Sequence, residues 1–107
     1  MRMWNIETEK MCNQHLLGEH VEMHMFVGCL SKNKSIQGYL DKKLIEVHNI
    51  EKRHSELVEE MKKRGFNHKS KLPGYKKIKL GKIDVRANKI DLRNRCKECR
   101  KMLGGAN

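Results

Sequence analysis

Apolar residues recur at helical spacing in three stretches of the chain, each closed by residues that stop helices. The first runs from Asn13 to Leu30, Asn-Gln-His-Leu-Leu-Gly-Glu-His-Val-Glu-Met-His-Met-Phe-Val-Gly-Cys-Leu. At about 100° per residue, Cys12, Leu16, Met23, Phe26, Val27 and Leu30 share about a third of the circumference, and Leu17, Val21 and Met25 form a second stripe nearly opposite. Two stripes predict a central helix buried on two sides, with Thr8 or Asn13 as its cap. The second stretch has Asn49 as N-cap, Ile50, Leu57, Val58 and Met61 as its stripe, and Gly65 as its stop. The third covers 84–103: Asp84 caps it, Leu92, Cys96, Cys99 and Leu103 share one face, and Gly104-Gly105 ends it. Between the first two, a polar break is followed by Ser35 to Lys43, a short helical turn or loop. Met3, Trp4 and Ile6 give the N-terminal segment enough apolar surface to dock. The pattern predicts an all-α fold, a compact single domain over 1–107 with three main helices and a basic loop.

The polar positions are less ordinary. His15, Glu19 and Glu22 stand at i, i+4 and i+7 on one edge of the first helix, with His15 and Glu22 about 20° apart in projection. Unpaired burial of a charge costs several kcal/mol, so this column is solvated, paired, or kept for chemistry. In the second helix acids come early and bases late, which suits the helix dipole and needs no functional reading.

Charge narrows the partner. Of 107 residues, 24 are Lys or Arg and 13 are Asp or Glu, a net charge of +11 that favours a polyanion, nucleic acid first. Nine of the bases and no acid lie in 62–82, around Phe66, Tyr75 and the single proline. This reads as an extended basic loop that contacts phosphate, with Lys76, Lys77 and Lys79 as candidates, or else as a solvated surface. No apolar run reaches about 18 residues and no apolar leader is present, so a soluble, unexported, cytoplasmic protein without a membrane role is expected. Without a secretion signal, four cysteines point to thiols or metal ligands rather than disulfides. Cys96-Lys-Glu-Cys99 has, as an alternative, the spacing of half a zinc site, for which Cys12, Cys29, His20 or His24 are the candidate partners. The tight pair set beside it is His20 and His24; His20-Val-Glu-Met-His24 lacks the Glu directly after the first His that zinc proteases need. Placement of both cysteines on the apolar helix face takes precedence, and no metal or other cofactor is expected.

Gln14-His-Leu-Leu-Gly-Glu-His-Val-Glu22 resembles the signature of the phage-type pyrimidine-dimer DNA glycosylases, the dimer-specific endonuclease V family. Lys52-Arg-His-Ser-Glu-Leu57 followed by Lys63-Arg-Gly-Phe-Asn67 is similar to that family's second long helix, in the right order. The resemblance implies an all-α fold, a flipped-out nucleotide, and a combined glycosylase and AP lyase acting as a monomer on ultraviolet-damaged or abasic duplex DNA. Carried over by residue, Glu22 falls on the catalytic glutamate, while Gln14, His15 and Glu19 fall on motif positions lining the DNA side. The family's nucleophile is an N-terminal α-amine, here that of Met1, followed by Arg2 where the family has an arginine. Initiator methionine is removed before small residues, so Met1 is expected to stay in front of Arg2. Val21 and Met25 stand where the phage enzymes carry arginines, and the 62–82 loop is the candidate substitute. A cysteine helix replaces the family's aromatic, basic tail.

The implied chemistry suits an α-amine. Its ordinary pKa of about 7.7 to 8.0, against about 10.4 for lysine, makes the nucleophilic fraction roughly 300 times larger near neutral pH. Attack at C1′ would displace the base, and Glu22 would take the C2′ proton of the resulting imine, giving β-elimination. Two other classes use the same residues differently. A non-catalytic basic DNA-binding protein treats Glu22 as structural, and a zinc-dependent nuclease uses His20, His24 and the cysteines.

Overall fold

The first helix, α1, forms over Asn13–Ser31 in a computed structural model that describes residues 1–68 and 70–104. Leu16, Met23, Phe26 and Val27 are buried along one side, as the main stripe predicts, and each such side chain contributes about 1.5–3 kcal/mol by leaving water. The second stripe is not buried: Val21 is 54% and Met25 50% exposed, and only Leu17 packs against the core. One-sided burial replaces the expected two-sided burial because, among the described residues, no element covers that flank of α1. The expected caps also differ. Cys12 occupies the N-cap position without a side-chain bond, Asn13 is the first helical residue, and Thr8 opens a separate 3-10 turn at Thr8–Lys10.

A short α2, Gln37–Asp41, lies within the Ser35–Lys43 stretch, and its Tyr39 meets Phe26 edge to face. The next long helix, α3, spans Ile50–Lys63 from the expected N-cap Asn49. Gly65 takes φ +84°, and the amides of Gly65 and Phe66 return to the carbonyls of Lys62 and Met61, a Schellman closure that requires the left-handed backbone glycine tolerates. Ile50, Leu57 and Met61 face the core against α1, but so do Arg53 and His54, which the stripe does not include.

Among the described residues, 66–84 hold no regular secondary structure, in keeping with a basic loop. The loop is pinned at a few points: the Tyr75 hydroxyl accepts from the Glu51 amide at 3.0 Å, Leu80 accepts from the Val47 amide at 2.9 Å, and Ile83 is buried. Gly81 at φ +92° lies so close to Ile45 that a Cβ would overlap the Ile45 carbonyl oxygen.

The C-terminal helix expected over 84–103 is two helices. Asp84 caps α4, Val85–Arg95, by accepting from the Ala87 amide, and α5 follows as Lys97–Met102. Cys96 between them is extended (φ −131°, ψ 112°), and its sulfur takes the N-cap role by accepting from the Cys99 amide. The break turns α5 toward the start of α1 and buries Cys99 and Leu103. The described residues contain helices and no strand. Among the described residues, no helix is long and apolar enough to cross a membrane.

Candidate functional site

The N-terminal segment is folded back across α1 by a run of specific bonds. Met3, Trp4 and Ile6 are buried, the Met3 amide donates to the Leu44 carbonyl at 2.7 Å, and the Trp4 amide donates to Glu19 Oε2 at 3.0 Å. From α4, buried Asn88 donates to the carbonyls of Met3 (3.1 Å) and Trp4 (2.9 Å) while its oxygen accepts from Arg2. The outcome is at the chain's first two residues. The Arg2 amide donates to Glu22 Oε1 at 2.7 Å, and the Met1 amine lies 3.8 Å from the same oxygen. Both groups are partly open, with side-chain exposures of 13% for Met1 and 27% for Glu22, and the exposed Val21 and Met25 flank the Glu22 position.

Glu19, expected on the DNA side, is buried. It is 1% exposed, and Arg53 forks onto its two oxygens from α3 at 2.7 and 2.8 Å. Arg53 also donates to the Ile6 carbonyl at 2.8 Å, and the contact with Glu19 holds its guanidinium above its ordinary pKa even though burial opposes the charge. The pairing makes Glu19 an anchor of the N-terminal segment. The Arg2 guanidinium bonds Asp91 at 2.6 Å and Asn88 through its two terminal nitrogens and lies 3.9 Å over the Trp4 ring, while its Nε is buried without a partner.

The remaining expected contacts divide. Gln14 is exposed on the first turn of α1, and Lys76, Lys77 and Lys79 are exposed along the loop, with Lys77 bridged to Glu51 at 2.8 Å. His15 is half-buried, edge-on to Trp4, and its Nδ1 lies 3.3 Å from Cys12 Sγ. Burial and the nearby Arg95 lower its pKa, and Glu22 offsets part of that shift.

Ligand-type side chains gather in two separate groups. Cys12, His15, Cys96 and Cys99 form one, with all their ligand atoms within 4.8 Å of one another; His20, His24, His54 and His68 form the other under the same limit. So the two tight pairs read from sequence, Cys96 with Cys99 and His20 with His24, belong to different clusters, and Cys29 belongs to neither. Burial pushes the Cys99 thiol up to about 12. It also brings His20 and His54 down to about 4, helped by the neighbouring imidazoles. The sequence reading missed Cys12 and His15 as a pair, although Cys12-Asn-Gln-His15 has the same two-residue spacing as Cys96-Lys-Glu-Cys99. It also missed His54 and His68, which reach His20 only through the packing of α3 and the loop.

A family model described as pyrimidine dimer DNA glycosylase matches residues 1–73. No curated protein and no solved structure matches the chain.

Proposed function

The chain belongs to the pyrimidine dimer DNA glycosylase family, and from that premise we propose that it excises damaged pyrimidines from duplex DNA through an imine at the Met1 amine and then cleaves the strand as an AP lyase. The observation that carries this reading is the 3.8 Å approach of the Met1 nitrogen to Glu22, in a segment whose next three residues each donate a backbone hydrogen bond to the rest of the molecule. An amine and a carboxylate at that separation, open to solvent on one side, suit a nucleophile and its proton acceptor.

The steps follow from those two groups. The neutral Met1 amine forms a bond to C1′ as the glycosidic bond breaks, and the departing pyrimidine takes its electron pair and a proton from water. The attached nitrogen gives up one proton, which passes to O4′ as the C1′–O4′ bond opens with its electron pair on that oxygen, and a protonated imine remains. Its positive nitrogen acidifies the C2′ proton, which the Glu22 carboxylate removes, and the electron pair expels the 3′ phosphate. Water then releases Met1. The carboxylate beside the cation lowers the cost of both charged intermediates.

The DNA face proposed here is the open side of Glu22 with Gln14, together with Lys76 and Lys79 of the loop. The net charge of +11, and loop lysines Lys76 and Lys79 that form no ion pair among the described residues, support phosphate contact. The domain is proposed to be single over 1–107 and to act as a monomer.

The test is borohydride reduction during incubation with a duplex carrying one abasic site. A trapped protein–DNA adduct is expected. A passive DNA-binding protein gives no adduct, and a hydrolytic zinc nuclease gives a cut strand without one.

A further inference from the structure

We propose that Cys12, His15, Cys96 and Cys99 bind a structural zinc ion that fastens α5 to the start of α1. The donors form two tight pairs, Cys12-x-x-His15 and Cys96-x-x-Cys99, the spacing that lets two neighbours on a turn reach one ion. Their separations suit it. Cys12 Sγ lies 3.8 Å from Cys96 Sγ and 3.3 Å from His15 Nδ1. Zinc bonded to sulfur at about 2.3 Å and to nitrogen at about 2.0 Å has tetrahedral edges of about 3.8 Å between sulfurs and about 3.5 Å between sulfur and nitrogen. The sulfurs are too far apart for a disulfide, whose bond is about 2.05 Å, and all four cysteines of the chain are free.

The surroundings match a metal site rather than a plain apolar contact. The Cys12 amide donates to Cys99 Sγ at 3.2 Å and the Cys99 amide to Cys96 Sγ at 3.4 Å, bonds that favour thiolate sulfur. Three thiolates and one divalent ion leave a single negative charge, which Arg95 and Lys97 on either side of Cys96 offset. Four protein donors leave no open position, so the ion holds structure and does not activate water. The extended backbone at Cys96 then has a purpose: it aims the sulfur at Cys12 and so breaks the C-terminal helix. A six-residue α5 has little stability of its own, and a metal bond supplies it.

A different observation carries a second site. The Nε2 atoms of His20 and His68 are buried without a hydrogen-bond partner, while His24 Nε2 and His54 Nε2 lie 3.1 Å apart. Four imidazoles face one another from α1, α3 and the loop, and no carboxylate is in the group. A divalent transition ion satisfies all of these nitrogens, and imidazole donors suit zinc. We infer that this cluster takes a second zinc ion, tying the basic loop through His68 to the two long helices.

The test uses the full chain purified under reducing conditions without chelator, its zinc counted by elemental analysis and then exchanged for cobalt. Two zinc ions per chain and a thiolate-to-cobalt charge-transfer band are expected. C96S/C99S should lose one ion and the band, His15→Cys should keep the ion and strengthen the band, and H20Q/H54Q should lose one ion and keep the band. Should either double variant fail to fold, wild type still decides. A cobalt form without the thiolate band, or a Cys12–Cys96 disulfide, overturns the first site. A single zinc per chain, with His20 and His68 nitrogen resonances unmoved when zinc is added, overturns the second.

Discussion

Arg53 of α3 donates to both carboxylate oxygens of Glu19 of α1, at 2.7 and 2.8 Å, and neither side chain reaches solvent. Removing one partner strands the other as a buried charge, a loss of about 3–5 kcal/mol. Arg53→Met and Glu19→Gln are each expected to lower stability strongly in urea unfolding, and the double variant by less than the sum. Additive losses would mean the two residues act independently.

The same pair shows why part of the site was hidden in the sequence. The spacing of His15, Glu19 and Glu22 marked one edge of a helix, and that edge does hold the amine's partner. Nothing in the spacing separates Glu19, sealed by an arginine 34 positions away, from Glu22, which is open. The helix periodicities, the Asp84 cap and the Gly65 stop were legible because they are local. The break at Cys96 was not, since Arg-Cys-Lys-Glu-Cys-Arg contains no glycine or proline and every residue tolerates a helix. Exposure of Val21 and Met25 depends on what fails to pack against them, which no local pattern records.

Asn88 links α4 to the backbone of Met3 and Trp4. Asn88→Ala is expected to cost about 1–3 kcal/mol of stability from the carbonyls left unpaired. It should also lower kcat more than it raises the Kd for abasic DNA, because the amine loses its position and the DNA face does not. Unchanged kcat in a folded variant would show that the amine is held without α4.

The loop lysines differ in availability. Lys77 is bridged to Glu51 while Lys76 and Lys79 form no ion pair among the described residues, so neutralising Lys76 and Lys79 should lower the slope of log affinity against log salt by about 0.9 for each phosphate lost. Lys77→Ala should change the slope less. Equal slopes for wild type and K76A/K79A would move the phosphate contacts off this part of the loop.

Gly81 admits no side chain. Gly81→Ala combines a left-handed backbone with overlap against the Ile45 carbonyl, and should destabilise by at least about 1–3 kcal/mol. Thermal unfolding measures it, and an unchanged Tm would mean that the loop shifts freely away from Ile45.

The proposed chemistry divides its labour between two residues. Glu22→Gln keeps the size and the Arg2 amide contact but removes the base, so it should bind damaged duplex with near-normal Kd and lose about a hundredfold or more in strand scission. Normal scission by this variant would take the C2′ proton away from Glu22.

The most direct measurement is peptide mapping of the borohydride-reduced adduct formed on irradiated or abasic duplex. The account predicts a sugar remnant on the α-nitrogen of Met1, and no adduct when that nitrogen is acetylated or preceded by added residues. A remnant on a lysine side chain, or full activity from a protein with an N-terminal extension, would contradict it.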